Sequence, residues 1–282
     1  MFKRLVASLA VMGTALSALL IGVPAAQAST GGTPDGELHP SVGMIVFYQA
    51  DGRFRCSATQ VSPTVILTAA HCTSGTLGLT LVTFESVIAE QPPSGIPAAA
   101  DPSVGYTAAD LAGQIYGTAY AHPNYSNFTD LKNWNDVGVV VLSQPLDHAT
   151  SALAPAGRLD QIPTGSLSRT IFTGVGYGTE VRKPDSGPQK PSPMSYPLIR
   201  RYWEVPGQKL TPQILQVNGN PNDVRGTGGS CFGDSGGPLF LDNQIVGVTS
   251  YGYTANCRYL DGYQRVDIPV VQDWLATFGV TP

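Results

Sequence analysis

Charge is scarce in this chain. Acidic and basic residues together make up 13% of 282, about half the usual share, and the formal charge is −4. Without a basic excess, nucleic-acid binding has no electrostatic support. Only four cysteines occur, and no CxxC or HxxxH spacing accompanies them, which leaves little basis for a zinc site. Histidine is limited to four residues, and none follows His148. No Gly-X-Y period, heptad run or internal repeat is visible. There is no cofactor motif and no calcium loop of recognisable spacing, so neither a cofactor nor a metal is expected. What the chain does have is apolar and loop-forming residues. Hydrophobic residues reach 42%, enough to bury a core, and 32 Gly with 23 Pro make about a fifth of the chain. That share fits a loop-rich β protein and stays below the roughly 25–30% of low-complexity sequence.

The N-terminus reads as a leader. Lys3 and Arg4 precede an uncharged stretch from Leu5 to Val23, Pro24 breaks it, and Ala26-Gln27-Ala28 supplies a small-x-small pattern. This is the layout of a secretory signal peptide over residues 1–28, with cleavage expected after Ala28. A transmembrane anchor is the alternative, since the apolar run is nearly long enough to span a bilayer, but the cleavage pattern favours export. Removing Lys3 and Arg4 leaves residues 29–282 with a charge of −6. An exported chain with an even cysteine count suggests disulfides. Cys56, Cys72, Cys231 and Cys257 allow three connectivities, and spacing does not choose among them.

Short apolar or alternating runs recur between turn residues: Val42–Tyr48, Val65–Ala69, Gly78–Phe84, Val137–Leu142, Thr170–Thr173, Pro238–Leu241 and Ile245–Ser250. This is an all-β pattern. Helical periodicity appears only at the end, where Val270, Val271, Trp274, Leu275 and Phe278 share a face between Pro269 and Gly279. Glu90–Gly105 and the proline-rich Lys183–Pro197 read as surface loops, and Thr150–Ser166 as a boundary between two halves. Arg200-Arg201 and Arg182-Lys183 read as solvated charges open to nicking.

Three local patterns carry chemistry. Leu67-Thr68-Ala69-Ala70-His71-Cys72 ends an apolar run in a histidine. Asn135-Asp136 precedes the apolar run Val137–Leu142. Gly233-Asp234-Ser235-Gly236-Gly237-Pro238 sets a serine in a glycine turn. Each alone has a plain structural explanation. Together they supply what acyl transfer needs: a hydroxyl nucleophile, a base that titrates near neutrality, a carboxylate to orient it, and open backbone amides for an oxyanion. Asp130 and Asp147 are rival acids. Gly233–Gly237 also satisfies G-x-S-x-G, but the α/β-hydrolase order requires a histidine after the serine, and none exists.

The order His71, Asp136, Ser235 and the phrases Thr68-Ala69-Ala70-His71-Cys72 and Gly233-Asp234-Ser235-Gly236-Gly237-Pro238 resemble the trypsin-like (chymotrypsin-fold) serine endopeptidases. His122-Pro123-Asn124-Tyr125, Gly176-Tyr177-Gly178 and Ser250-Tyr251-Gly252 are weaker matches, and the resemblance spans roughly residues 29–279. It implies an all-β fold of two packed six-stranded antiparallel β-barrels with a C-terminal helix. The N-terminal barrel, in residues 29–150, would carry His71 and Asp136. The C-terminal barrel, in 151–282, would carry Ser235. The resemblance also implies disulfides Cys56–Cys72 and Cys231–Cys257, an oxyanion hole from the amides of Gly233 and Ser235, and substrate pairing along Ser250 to Gly252. Asp136 is preferred as the acid because Val137–Leu142 follows it as the family's strand does.

Specificity departs from the common pattern. The primary pocket's floor falls on Gly229, where trypsin-type enzymes carry Asp. Gly252 would leave one wall open, and Asp261 falls on another wall. A pocket-facing Asp261 would favour Lys or Arg; a capped one leaves an apolar preference, which is the expectation here. The family's activating ion pair falls on Asp234. Its partner would be Ser29, the first residue after leader cleavage, without the usual Ile or Val. Asn124 and Asn127 stand in glycosylation sequons. The expected partners are protein or peptide substrates of a secreted, monomeric endopeptidase, with neither nucleic acid nor membrane. A catalytically silent binding protein on the same fold is the alternative, and an esterase a softer one.

Overall fold

The computed structural model describes residues 31–181 and 194–282. The expected leader, Ser29, Arg182-Lys183 and most of the Lys183–Pro197 loop lie outside the described residues. The first half forms β1 (Val42–Gln49), β2 (Gly52–Ser62), β3 (Val65–Thr68), β4 (Leu77–Thr83), β5 (Ile115–Ala121) and β6 (Gly138–Leu142). These close into an antiparallel barrel in the order β1-β2-β3-β6-β5-β4. The second half forms β7 (Ile171–Gly176), β8 (Arg201–Leu210), β9 (Ile214–Asn218), β10 (Pro238–Leu241), β11 (Gln244–Gly252) and β12 (Leu260–Arg265). They close in the order β7-β8-β9-β12-β11-β10, with β7 paired to β8 along six residues. The two barrels therefore share one strand order, although no repeat is visible in the sequence. Closure removes the exposed edges that an open sheet would leave.

The two barrels share a core. Val42, Leu67 and Val139 of the first half cluster with Phe240 and Val248 of the second, and with Val271 and Leu275 of helix α1 (Pro269–Ala276). Burying each of these two helix side chains contributes roughly 1.5–3 kcal/mol. Pro269 opens the helix, where its missing N–H costs nothing. Val270 does not share the buried face expected for it and is 38% exposed. Glu90–Gly105 contains no strand, as expected. Thr150–Ser166 crosses between the halves, and Leu153 and Ala154 bury against β11 through Ala154 N–H to Ile245 O at 3.0 Å.

One expectation is corrected. Arg200 and Arg201 are not solvated; both are buried. Arg200 Nε donates to Asp35 Oδ2 at 2.7 Å, and its two terminal nitrogens donate to the carbonyls of Val42, Phe84 and Gly36. Burial disfavours the charge of Asp35, but hydrogen bonds from His39 and Arg200 outweigh it and hold the carboxyl below its ordinary range. A buried arginine is tolerated because nearly every donor is satisfied.

Candidate active site

His71 and Asp136 meet because their strands pair. β3 and β6 run antiparallel with Thr68 opposite Gly138, so the end of one and the start of the other emerge at the same barrel rim. His71 lies in a short 3-10 turn, Ala70–Cys72, just past β3, and Asp136 lies just before β6. The Asp136 side chain is completely buried. Its Oδ2 lies 2.9 Å from His71 Nδ1, and its Oδ1 accepts the His71 backbone N–H at 2.9 Å. Ser250 Oγ donates to Asp136 Oδ2 at 2.6 Å, and the indole Nε1–H of buried Trp134 donates to Ser250 Oγ at 2.9 Å. The Asp136 amide donates to Gln264 Oε1 at 3.0 Å. With Asp136 Oδ2 accepting from Nδ1 of His71, the ring's Nε2 is left facing away from the carboxylate as the acceptor nitrogen. The rival acids are elsewhere: Asp130 is exposed and holds the backbone of its own loop, and Asp147 is exposed. His122 is buried in a structural role, between Asn124 N–H and Val270 O.

Ser235 comes from the second half and is pinned to the first. Ser57, next to Cys56, donates its hydroxyl to Gly233 O at 2.9 Å, accepts Tyr177 N–H at 2.9 Å, and gives its amide to Ser235 O at 2.8 Å. Gly233 has φ +101°, a conformation that favours glycine. Gly236 must also be glycine, since a Cβ there would come within 2.0 Å of Thr68 Oγ1. Among the described residues, neither the Gly233 nor the Ser235 amide donates to a protein acceptor. Ser235 and His71 line one cavity of about 480 Å³, with no hydrogen bond joining them among the described residues. Such contacts often tighten only when substrate binds. Ser250 to Gly252 run past the end of β10, whose pairing with β11 stops at Val248, so this stretch keeps an open edge.

This geometry can be set beside known proteins. The trypsin family model matches residues 36–275. Brachyurin of Leptuca pugilator is 29% identical over 241 residues, covering 82% of this chain and 91% of that protein. A trypsin of Saccharopolyspora erythraea is 26% identical, covering 72% and 77%. Among solved structures, HL collagenase superposes with a TM-score of 0.59 at 18% identity, covering 90% and 99%, and human heparin binding protein with 0.55 at 16%, covering 90% and 97%. The chain belongs to the trypsin family of serine endopeptidases. Its two-barrel fold is the one the resemblance implied, and its disulfides are Cys56–Cys72 and Cys231–Cys257.

The cavity beside Ser235 is lined by Phe232, Tyr251, Gly252, Tyr253, Ala255 and the Cys231–Cys257 bridge, among others. Gly229 and Asp261 lie behind Ser230. Asp261 is 98% removed from solvent, and its Oδ2 accepts the Ser230 amide at 2.7 Å. An ideal Cβ on Gly229 would lie 2.8 Å from that oxygen, and one on Gly252 3.6 Å from Oδ1. The carboxylate thus lies behind Ser230 and Gly229, next to the cavity wall but not among the residues that line it. Burial pushes Asp261 up, hydrogen bonds from Ser230 oppose this, the charge of Asp234 adds to it, and the result is about 7.

Asp234 is completely buried. Gly178 N–H donates to its Oδ1 at 2.7 Å and Cys231 N–H to its Oδ2 at 2.8 Å. A Cβ on Gly176 or Gly178 would fall 2.3 or 2.1 Å from this carboxylate. The Gly176-Tyr177-Gly178 phrase is therefore a cradle for Asp234, with Tyr177 buried between. The expected partner Ser29 lies outside the described residues. The charge of Asp234 also acts on Arg55 and Arg201. Sequence reading missed Ser57, Trp134, Gln264 and Phe128, whose ring lies 5.5 Å from His71. Only adjacency to Cys56 and to Asn135-Asp136 hinted at the first two.

Proposed function

We propose that this protein is a secreted endopeptidase in which Ser235 is the nucleophile, His71 the base and Asp136 the orienting acid. The observation that carries this reading is the unbroken chain Trp134–Ser250–Asp136–His71 ending on the cleft that Ser235 also lines. Ser235 Oγ attacks the scissile carbonyl while His71 Nε2 takes its proton. Asp136, paired with Nδ1, stabilises the imidazolium. The oxyanion rests on the amides of Gly233 and Ser235. His71 returns the proton to the leaving amine. Water, deprotonated by the same nitrogen, then releases the acyl group from Ser235. Substrate backbone adds along the open edge of Ser250 to Gly252.

The apolar and aromatic walls of the pocket support an apolar residue before the scissile bond, and Asp261 modulates that preference. The leader pattern over 1–28 and the two disulfides support export, with leader removal exposing Ser29 to pair with Asp234. The division of labour is 29–150 for His71 and Asp136, and 151–282 for Ser235. The fold also serves other ends, since a scabies mite inactivated protease paralogue superposes on this chain with a TM-score of 0.54 at 16% identity. A fluorophosphonate probe separates these readings. It is expected to label the wild-type protein, and Ser235→Ala to lose both label and peptide hydrolysis, the latter by about a million-fold. Absence of labelling in folded protein that begins at Ser29 would refute the triad and leave the binding-protein alternative.

A further inference from the structure

A second cavity, also about 480 Å³, opens on the other side of Ser235. Ser235 and Gly233 line it together with Arg55, Arg53, Phe54 and Phe232. It lies across the nucleophile from Ser250 to Gly252, so it faces the segment that leaves after acylation. Among the described residues, two guanidinium groups line it and no carboxylate does. In a chain with more acidic than basic residues, that is an unusual concentration of one sign.

The two arginines differ. Arg53 is committed: a terminal nitrogen donates to Pro97 O at 2.8 Å, and its guanidinium stacks 5.8 Å from the Tyr106 ring. Arg55 is not. Among the described residues, its one hydrogen bond is a long 3.5 Å contact to Tyr177 O, and its buried Nε has no hydrogen-bond partner. The guanidinium lies against the oxyanion loop, where an ideal Cβ on Gly233 would be 3.1 Å from Nε and 3.2 Å from the nearer terminal nitrogen. The nearby carboxylate of Asp234 accepts a backbone N–H on each of its oxygens, from Gly178 and Cys231. Arg55 is thus a half-buried, always-charged fork with spare donors beside the leaving group. Burial disfavours its charge, and the field of Asp234 only partly compensates. An incoming anion would supply the missing partner.

We propose that Arg55 forms a carboxylate-binding subsite for the leaving segment of the substrate. This rests on Ser235 being the nucleophile, because that assigns the cavity to the leaving side. The carboxylate could belong to an acidic side chain or to a peptide C-terminus, and the experiment separates them.

Internally quenched peptides identical up to the scissile bond would carry Asp, Asn or Lys at each of the first three leaving positions, with amidated ends. A second set would carry Asn and end in a free carboxylate at those positions. For wild type, the carboxylate peptides are expected to show kcat/KM about tenfold above the Asn amides, as one charge-assisted hydrogen bond provides. Preference in the first set alone identifies a side-chain carboxylate, and in the second alone a terminus. In Arg55→Met the ratio of kcat/KM for the carboxylate peptides to that for the Asn amides should fall to about one; Arg55→Lys should keep part of it. Binding of the same peptides to Ser235→Ala protein reads the subsite without hydrolysis, so a silent Ser235 would refute the proposed catalysis without hiding the subsite. No carboxylate preference in wild type, or an equal loss on acidic and neutral peptides in Arg55→Met, would overturn the proposal; the latter would make Arg55 only a buttress of the Gly233 loop.

Discussion

We predict that Asp261 makes the specificity of this enzyme depend on pH. Its carboxyl lies buried behind Ser230, which lines the cavity beside Ser235, and burial outweighs the Ser230 hydrogen bonds to push it up to about 7. At pH 6 about a tenth of the molecules would carry the charge, and at pH 8 about nine-tenths. The charge favours an Arg or Lys side chain above it, whereas the neutral acid leaves an apolar pocket. The ratio of kcat/KM for an Arg substrate to that for a matched Leu substrate should therefore climb about ninefold between pH 6 and 8. Any pH effect on the catalytic step common to both substrates cancels in the ratio. Asp261→Asn keeps an acceptor for the Ser230 amide and should flatten the curve at the Leu-favouring level. The same group makes a stability prediction. A folded pKa raised above the unfolded value means the native state holds a proton that the unfolded chain has lost. Its stabilisation is full below about pH 4 and is lost as pH rises to about 7, by up to about 4 kcal/mol. Thermal unfolding of Asp261→Asn should show a shallower decline over that window. A ratio constant from pH 6 to 8, or a rise that persists in Asp261→Asn, would refute the placement of this charge beside the pocket.

Two further substitutions probe the networks around the site. Trp134→Phe keeps a ring against Phe128 and Tyr251 but removes the N–H held by Ser250. It should lower kcat roughly two- to tenfold with KM unchanged, as loss of one neutral hydrogen bond behind Asp136 implies; an unchanged kcat in steady-state assays would show that Ser250 needs no such anchor. Arg200→Met leaves the buried Asp35 carboxylate with His39 alone and removes the donor from three carbonyls, and should cost about 3–5 kcal/mol. Urea unfolding that shows a loss below about 1 kcal/mol would mean that Asp35 finds another partner.

The candidate site was legible where chemistry demands particular residues in particular phrases. His71, Ser235 and its glycines stand in short segments whose residue types have few other joint explanations, and the absence of histidine after His148 excluded the competing order. Alternation and turn residues marked seven of the strands, because a half-buried strand writes its faces into every second position. The buried role of Arg200 was not legible. A pair of arginines reads as solvated until the fold brings a carboxylate 165 positions away to within 2.7 Å. Nor was the shared strand order of the two halves, since barrel closure constrains which positions are apolar and not which residues fill them.

The sequence by itself determined the family, the all-β class, the terminal helix and the three residues on which the proposed chemistry turns, because those depend on local pattern and residue type. Only the tertiary structure decided what those residues touch. The pairing of β3 with β6 put Asp136 on His71, Ser57 tied the serine loop to the other barrel, and Trp134 reached Ser250 from 116 positions away. It also left Arg55 beside Ser235 with donors to spare and buried Asp261 behind Ser230. These are contacts between segments remote in sequence, and burial and electrostatics exist only once such segments are packed together.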